Sequence, residues 1–65
     1  MKPETAIQWA GTQAELAKRL GISPSAVSQW VSDGIVPEGR AYQIQVISAG
    51  AVRVDPRVYE KGAAA

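Results

Sequence analysis

Apolar residues fall in short clusters, and Gly11, Gly21, Gly34, Gly39 and Gly50 separate segments that suit short helices. In residues 3–10, Pro3 fits the first helical position and Glu4 favours the positive end of the helix dipole. Ala6, Ile7 and Ala10 share a face there, which Trp9 either covers or leaves while standing partly exposed. Thr12-Gln13-Ala14-Glu15 has the form of a capping box, so a second helix is expected over 12–20. Its inner stripe is Leu16, Ala17 and Leu20, with Lys18 and Arg19 pointing outward near its end. Gly21 sits where a left-handed residue ends a helix cheaply. Ser23-Pro24 then reads as N-cap and first residue of a third helix, running to about Ser32 and stopped by Asp33-Gly34. Val27, Trp30 and Val31 are expected to face inward from it.

The outward face of this third helix is unusual. Ser25, Ser28, Gln29 and Ser32 recur at i, i+3, i+4 and i+7, so they form one stripe. All four are polar and uncharged, whereas an ordinary solvated helix face carries Lys, Glu or Arg. Short hydroxyls and one amide suit close approach to a hydrogen-bonding surface such as the base edges of a DNA major groove. Gln reads adenine there, and Ser serves several bases. Alone, the stripe also fits a small soluble helix face.

It is not alone. Ala17, Gly21, Val27 and Trp30 each have a steric reason in a helix-turn-helix: a small residue where two helices cross, a turn, and two anchors of the second helix on the first. Gly11-Thr12-Gln13 through Leu20-Gly21-Ile22-Ser23, then Ala26-Val27-Ser28-Gln29-Trp30, resembles the helix-turn-helix of phage Cro repressors. The likeness continues through Ile35-Val36-Pro37-Glu38 and Ala41-Tyr42-Gln43-Ile44 to Ala49-Gly50-Ala51-Val52. One departure is Ala10, where members of the family usually carry an aromatic directly before the glycine.

The resemblance implies a small dimeric repressor, cytoplasmic in a bacterial host cell, that binds palindromic operator DNA with helix 23–32 in the major groove. Ser25, Ser28, Gln29 and Ser32 would then face base edges, with Ser23 and Pro24 nearest the groove floor or its wall. Gln13 would hydrogen-bond a phosphate, and Lys18, Arg19 and Arg40 would add phosphate charge or serve solubility alone. A helix-turn-helix reused as a protein-interaction module, such as an antitoxin or adaptor, is the alternative.

Residues 37–59 admit two readings. In the helical one, Pro37 and Glu38 open a helix that Gly50 ends, and Asp55-Pro56 starts a short one through Tyr59. In the other, Tyr42, Ile44 and Val46 alternate with Gln43, Gln45 and Ile47 as a strand, and Ser48-Ala49-Gly50 turns a β-hairpin over about 42–54. Cro-like proteins are known in both forms, and this stretch resembles the all-helical members more. The expected fold is therefore all-α, about five short helices, with α+β as the alternative. Either way Tyr42, Ile44, Val46, Val52 and Val54 supply apolar surface for the core or for a dimer interface.

Composition narrows the chemistry. The chain has 65 residues without Cys or His, which removes disulfides, thiolate or imidazole metal sites and Ser-His-Asp catalysis. No nucleophile–base pair stands at a recognisable spacing, so an enzyme, a cofactor and a small-molecule ligand are not expected. No apolar run approaches the ~20 residues of a membrane span, and Met1-Lys2-Pro3-Glu4 lacks a signal-peptide apolar region. Seven basic residues against six acidic leave a net charge of +1, so one copy has few cations to spare for phosphates. Two copies with recognition helices about 34 Å apart would reach successive major grooves. Residues 1–61 read as one domain with a dimerisation segment at about 40–59, and 62–65 as a flexible tail.

Overall fold

In a computed structural model, residues 1–59 are described, and among them the chain is helical with no strand. Four α-helices, α1 (Pro3–Ala10), α2 (Gln13–Leu20), α3 (Pro24–Asp33) and α4 (Glu38–Ile47), precede one 3-10 turn (Pro56–Tyr59). The expected five helices are thus four and a shorter turn. The 62–65 tail and the end of the 1–61 domain lie outside the described residues.

Local chemistry accounts for the boundaries. The Thr12 side-chain oxygen accepts the Glu15 amide at 3.1 Å, the first of the two bonds of a capping box. Ser23 has the extended backbone of a cap, but its hydroxyl makes no capping bond, so Pro24 and the packing of α3 start that helix. At the end of α2, the Ile22 amide donates to the Ala17 carbonyl at 3.0 Å and the Gly21 amide to Lys18 at 3.2 Å. These are the two bonds of a Schellman ending, with Gly21 left-handed at φ 71°.

The core runs through all four helices. Leu16, Val27, Val36, Ala41 and Ile44 are at 0% exposure, around Ala17 and Trp30 at 1% and 6%. α2 packs most extensively on α3, with α1 against both and α4 against α2. Val31, expected to face inward, is 38% exposed: Val27 and Trp30 already define the buried side of α3, and Val31 lies about 100° round the helix from Trp30.

The hairpin alternative is overturned by α4 itself. Helical geometry sends Ile44 inward and leaves Tyr42 and Val46 exposed, where a strand would have put all three on one face. The loop that follows is held by side chains instead of a partner strand. The Ser48 hydroxyl accepts the Val52 amide at 3.1 Å, and Gln45 Oε1 accepts the Val54 amide at 2.8 Å. α4 closes in the same Schellman pattern as α2: the Gly50 amide donates to the Gln45 carbonyl at 3.0 Å and the Ala49 amide to Val46 at 3.1 Å. Here the left-handed residue is an alanine, Ala49 at φ 53°, followed by Gly50 at φ 85°.

A second seam joins distant parts of the chain. The Tyr59 hydroxyl donates to the Val36 carbonyl at 2.5 Å and accepts from the Met1 ammonium at 2.9 Å. The Val36 amide in turn donates to the Met1 carbonyl at 3.0 Å. Burial, then Glu38 and Tyr42, pushes the Tyr59 phenol above its ordinary value, and burial lowers the Met1 ammonium against an opposing pull from Asp55. Asp55 begins the 3-10 turn as expected, its carboxylate accepting the Arg57 amide at 3.0 Å, a bond that holds its pKa down.

Candidate nucleic-acid interface

α2, the turn Gly21-Ile22-Ser23 and α3 form a helix-turn-helix. Val27 and Trp30 fasten α3 to the core, and Ala17, at 1% exposure, supplies the small surface where the helices cross. Fixing that side of α3 fixes the opposite one. Ser25, Ser28, Gln29 and Ser32 all stand exposed, with Pro24 at the helix start. Gln13, the first residue of α2, comes beside them, and these six line one shallow open concavity.

No charged residue lines this surface. Side-chain hydroxyls and amides on it can both donate and accept, which is what mixed donor and acceptor edges require. One bond acts along the helix: Gln29 Nε2 donates to Asp33 Oδ1 at 3.1 Å. Asp33 is a residue the stripe reading missed, although the Gln–Asp spacing of four was visible in the sequence.

The other expected contacts do not line this surface. Ser23 is exposed just before α3. Lys18 and Arg19 are exposed on the last turn of α2, and neither lines the concavity. The Arg19 guanidinium stacks over Trp9, 4.8 Å from the ring centroid, so half-buried Trp9 already has a cation partner. Arg40 is half-buried and donates to Gln43 Oε1 at 2.8 Å.

The expected dimer residues divide. Tyr42 and Val46 are 41% and 76% exposed, and Val54 is half-buried. Ile44 and Val52, at 0% and 3%, belong to the core of a single chain and have no surface left for a partner. That corrects their place in the interface: α4 turns Ile44 inward, and the Ser48 hydroxyl holds the Val52 amide at 3.1 Å. Ile47 and Val58, each 41% exposed, are apolar surface that strand alternation did not single out.

Among the described residues no cluster of acidic side chains could hold a metal, and no helix is long and apolar enough to cross a membrane. No solved structure matches the chain significantly. At the sequence level, 40% identity over 63 residues links it to the regulatory protein cro of Salmonella phage P22, covering 97% of this chain and 100% of that protein. The repressor protein of division inhibition gene dicB of Escherichia coli (strain K12) is 38% identical over 56 residues, 86% of this chain and 72% of that one. The family pattern described as DNA-binding transcriptional regulator Cro matches residues 2–63. With a helix-turn-helix in place and a match along almost its whole length, the chain belongs to the Cro family of DNA-binding transcriptional regulators.

Proposed function

We propose that the chain represses transcription by binding palindromic operator DNA as a homodimer, in the cytoplasm of a bacterial host cell, with α3 of each copy in a major groove. The observation that carries this reading is the uncharged surface of Gln13, Pro24, Ser25, Ser28, Gln29 and Ser32. Ser25, Ser28, Gln29 and Ser32 face base edges, and Ser23 and Pro24 approach first, at the N-terminal end of the helix. Gln13 meets a phosphate at the positive end of α2, where the dipole favours an anion. Exposed Lys18 and Arg19 contribute charge at longer range, and Arg40 does so after giving up Gln43.

The second copy is argued from charge and surface together. A net charge of +1 leaves a single copy weakly held on phosphates, so affinity has to come from two half-sites. Tyr42 and Val46 stand exposed one turn apart on α4, with Val54 close in sequence to the same loop, and they form the contact we assign to the dimer. Selection from a random duplex pool, then a salt titration and sedimentation with and without the selected duplex, tests the reading. Enrichment of a palindrome bound by two copies is expected. Absence of any enriched sequence and little affinity even at low salt would refute it and favour a protein-interaction module.

A further inference from the structure

Resting on the reading that Gln29 contacts a base, we infer that Asp33 is a positioning residue for base recognition, holding the Gln29 amide in the one orientation that discriminates adenine from guanine. Gln29 Nε2 lies 3.1 Å from Asp33 Oδ1, with both residues exposed on α3. A carboxylate can only accept, so it must be the NH2 end of the Gln29 amide that faces it. One N–H is then committed to Asp33. The second N–H and the Oε1 acceptor have no protein partner among the described residues.

A free donor beside a free acceptor is the pattern a glutamine needs for adenine, which offers N7 as acceptor and N6–H as donor. Guanine offers two acceptors, N7 and O6, and rewards an amide that has turned over to present only its N–H groups. Without a partner the terminal amide torsion of glutamine is broad and roughly two-fold, so both orientations are available. Asp33 biases the amide toward one of them before DNA arrives.

The placement of Asp33 sharpens the argument. It is the last residue of α3, at the negative end of the dipole, where a carboxylate is electrostatically misplaced. It is exposed, so the core does not need it, and no ion pair compensates it among the described residues. A negative charge on the helix that enters the groove of a polyanion also weakens non-specific attraction. Its bond to Gln29 is the one side-chain contact that offsets these costs, and discrimination is what that contact supplies.

The test compares the wild-type chain with Gln29→Ala, Asp33→Ala and Asp33→Asn on the palindrome enriched from random duplexes and on every single-base variant of it. Circular dichroism melting first confirms that each variant is folded. Gln29→Ala should flatten the preference at one half-site position. Asp33→Ala should cut adenine-over-guanine discrimination at that same position by about three- to tenfold, the worth of one net hydrogen bond in an equilibrium constant. It should also tighten binding to unrelated duplexes. Asp33→Asn removes the charge but can accept from or donate to the amide, so it holds either orientation; it should tighten unrelated binding equally and restore little of the preference. If Gln29→Ala flattens a position that Asp33→Ala leaves untouched, the positioning role is wrong and the base contact stands. If Asp33→Ala flattens a different position, Asp33 reads a base of its own and the inference fails. If Gln29→Ala flattens nothing, the base contact falls and the inference with it.

Discussion

Replacing Ala49 by glycine should stabilise the protein. Ala49 occupies the left-handed position that ends α4, at φ 53°, with its amide bonded to Val46 and the next amide to Gln45. An L-residue with a Cβ is strained there by about 1–2 kcal/mol, which glycine does not incur. Glycine also gains freedom in the unfolded chain, which takes back about 0.4–1 kcal/mol. At the middle of these ranges the net gain is about 0.8 kcal/mol. For a chain this small, that is a rise in melting temperature of roughly 2–8 °C. The adjacent position provides a control of opposite sign. Gly50 has φ 85°, and a Cβ built on it meets nothing within 4 Å, so Gly50→Ala should lower stability through backbone strain, less the same unfolded-chain offset, by about 0.8 kcal/mol. Thermal melting followed by circular dichroism at 222 nm, the conventional helix wavelength, measures both variants. An Ala49→Gly melting point at or below that of the parent would refute the strain argument. A harmless Gly50→Ala would refute the left-handed ending as a whole.

Three further outcomes follow from burial and bonding. Val52→Asp should unfold the chain because an unpaired charge would enter the core, whereas Val46→Asp, at 76% exposure, should melt within a few degrees of the parent yet sediment as a monomer if α4 joins two copies. Trp30→Ala removes a side chain only 6% exposed and should cost about 3–5 kcal/mol, close to the whole ~5 kcal/mol reserve of a small domain; a melting curve near that of the parent would show the core does not depend on it. Because the Tyr59 phenol titrates above its ordinary value near 10 in the fold, its contribution is complete below that value and fades as pH rises through the folded pKa. Tyr59→Phe should lose about 0.5–1.5 kcal/mol at neutral pH, and its stability should fall less steeply under alkali than the parent's.

The helix-turn-helix was legible because its signals are local. Thr12 and Glu15 stand three apart, Gly21 sits at a helix end and Pro24 at a helix start, and each acts within a turn of chain. The outer stripe was legible for the same reason, since residues that share a helix face share a period. The segment after Gly39 resisted because its apolar residues satisfy two periods at once. Tyr42, Ile44 and Val46 alternate as a strand would, and α4 has almost no polar–apolar asymmetry as a helix. No period decides between the two, and the loop after α4 is held by two side chains, Ser48 and Gln45, that take the Val52 and Val54 amides. Such bonds depend on where the loop folds back, and no propensity encodes that. Ile44 and Val52 look like partner-facing residues in a hairpin for the same reason. The seam between Tyr59, Val36 and Met1 spans almost the whole described chain and left no local trace.

The helices are short: α1 and α2 have eight residues each and α3 and α4 ten. Isolated helices below about 12–15 residues are marginal in water, so none of these persists once its neighbours leave. The four helices are therefore expected to open together, leaving a protease no stable helical fragment to release from residues 3–47. With a reserve of ~5 kcal/mol, its survival among proteases is set by the small population that is globally open at any moment. Anything that binds only the closed form reduces that population by mass action. If the chain binds operator as proposed, occupancy would lengthen the life of the bound copies, and free copies would be the first removed.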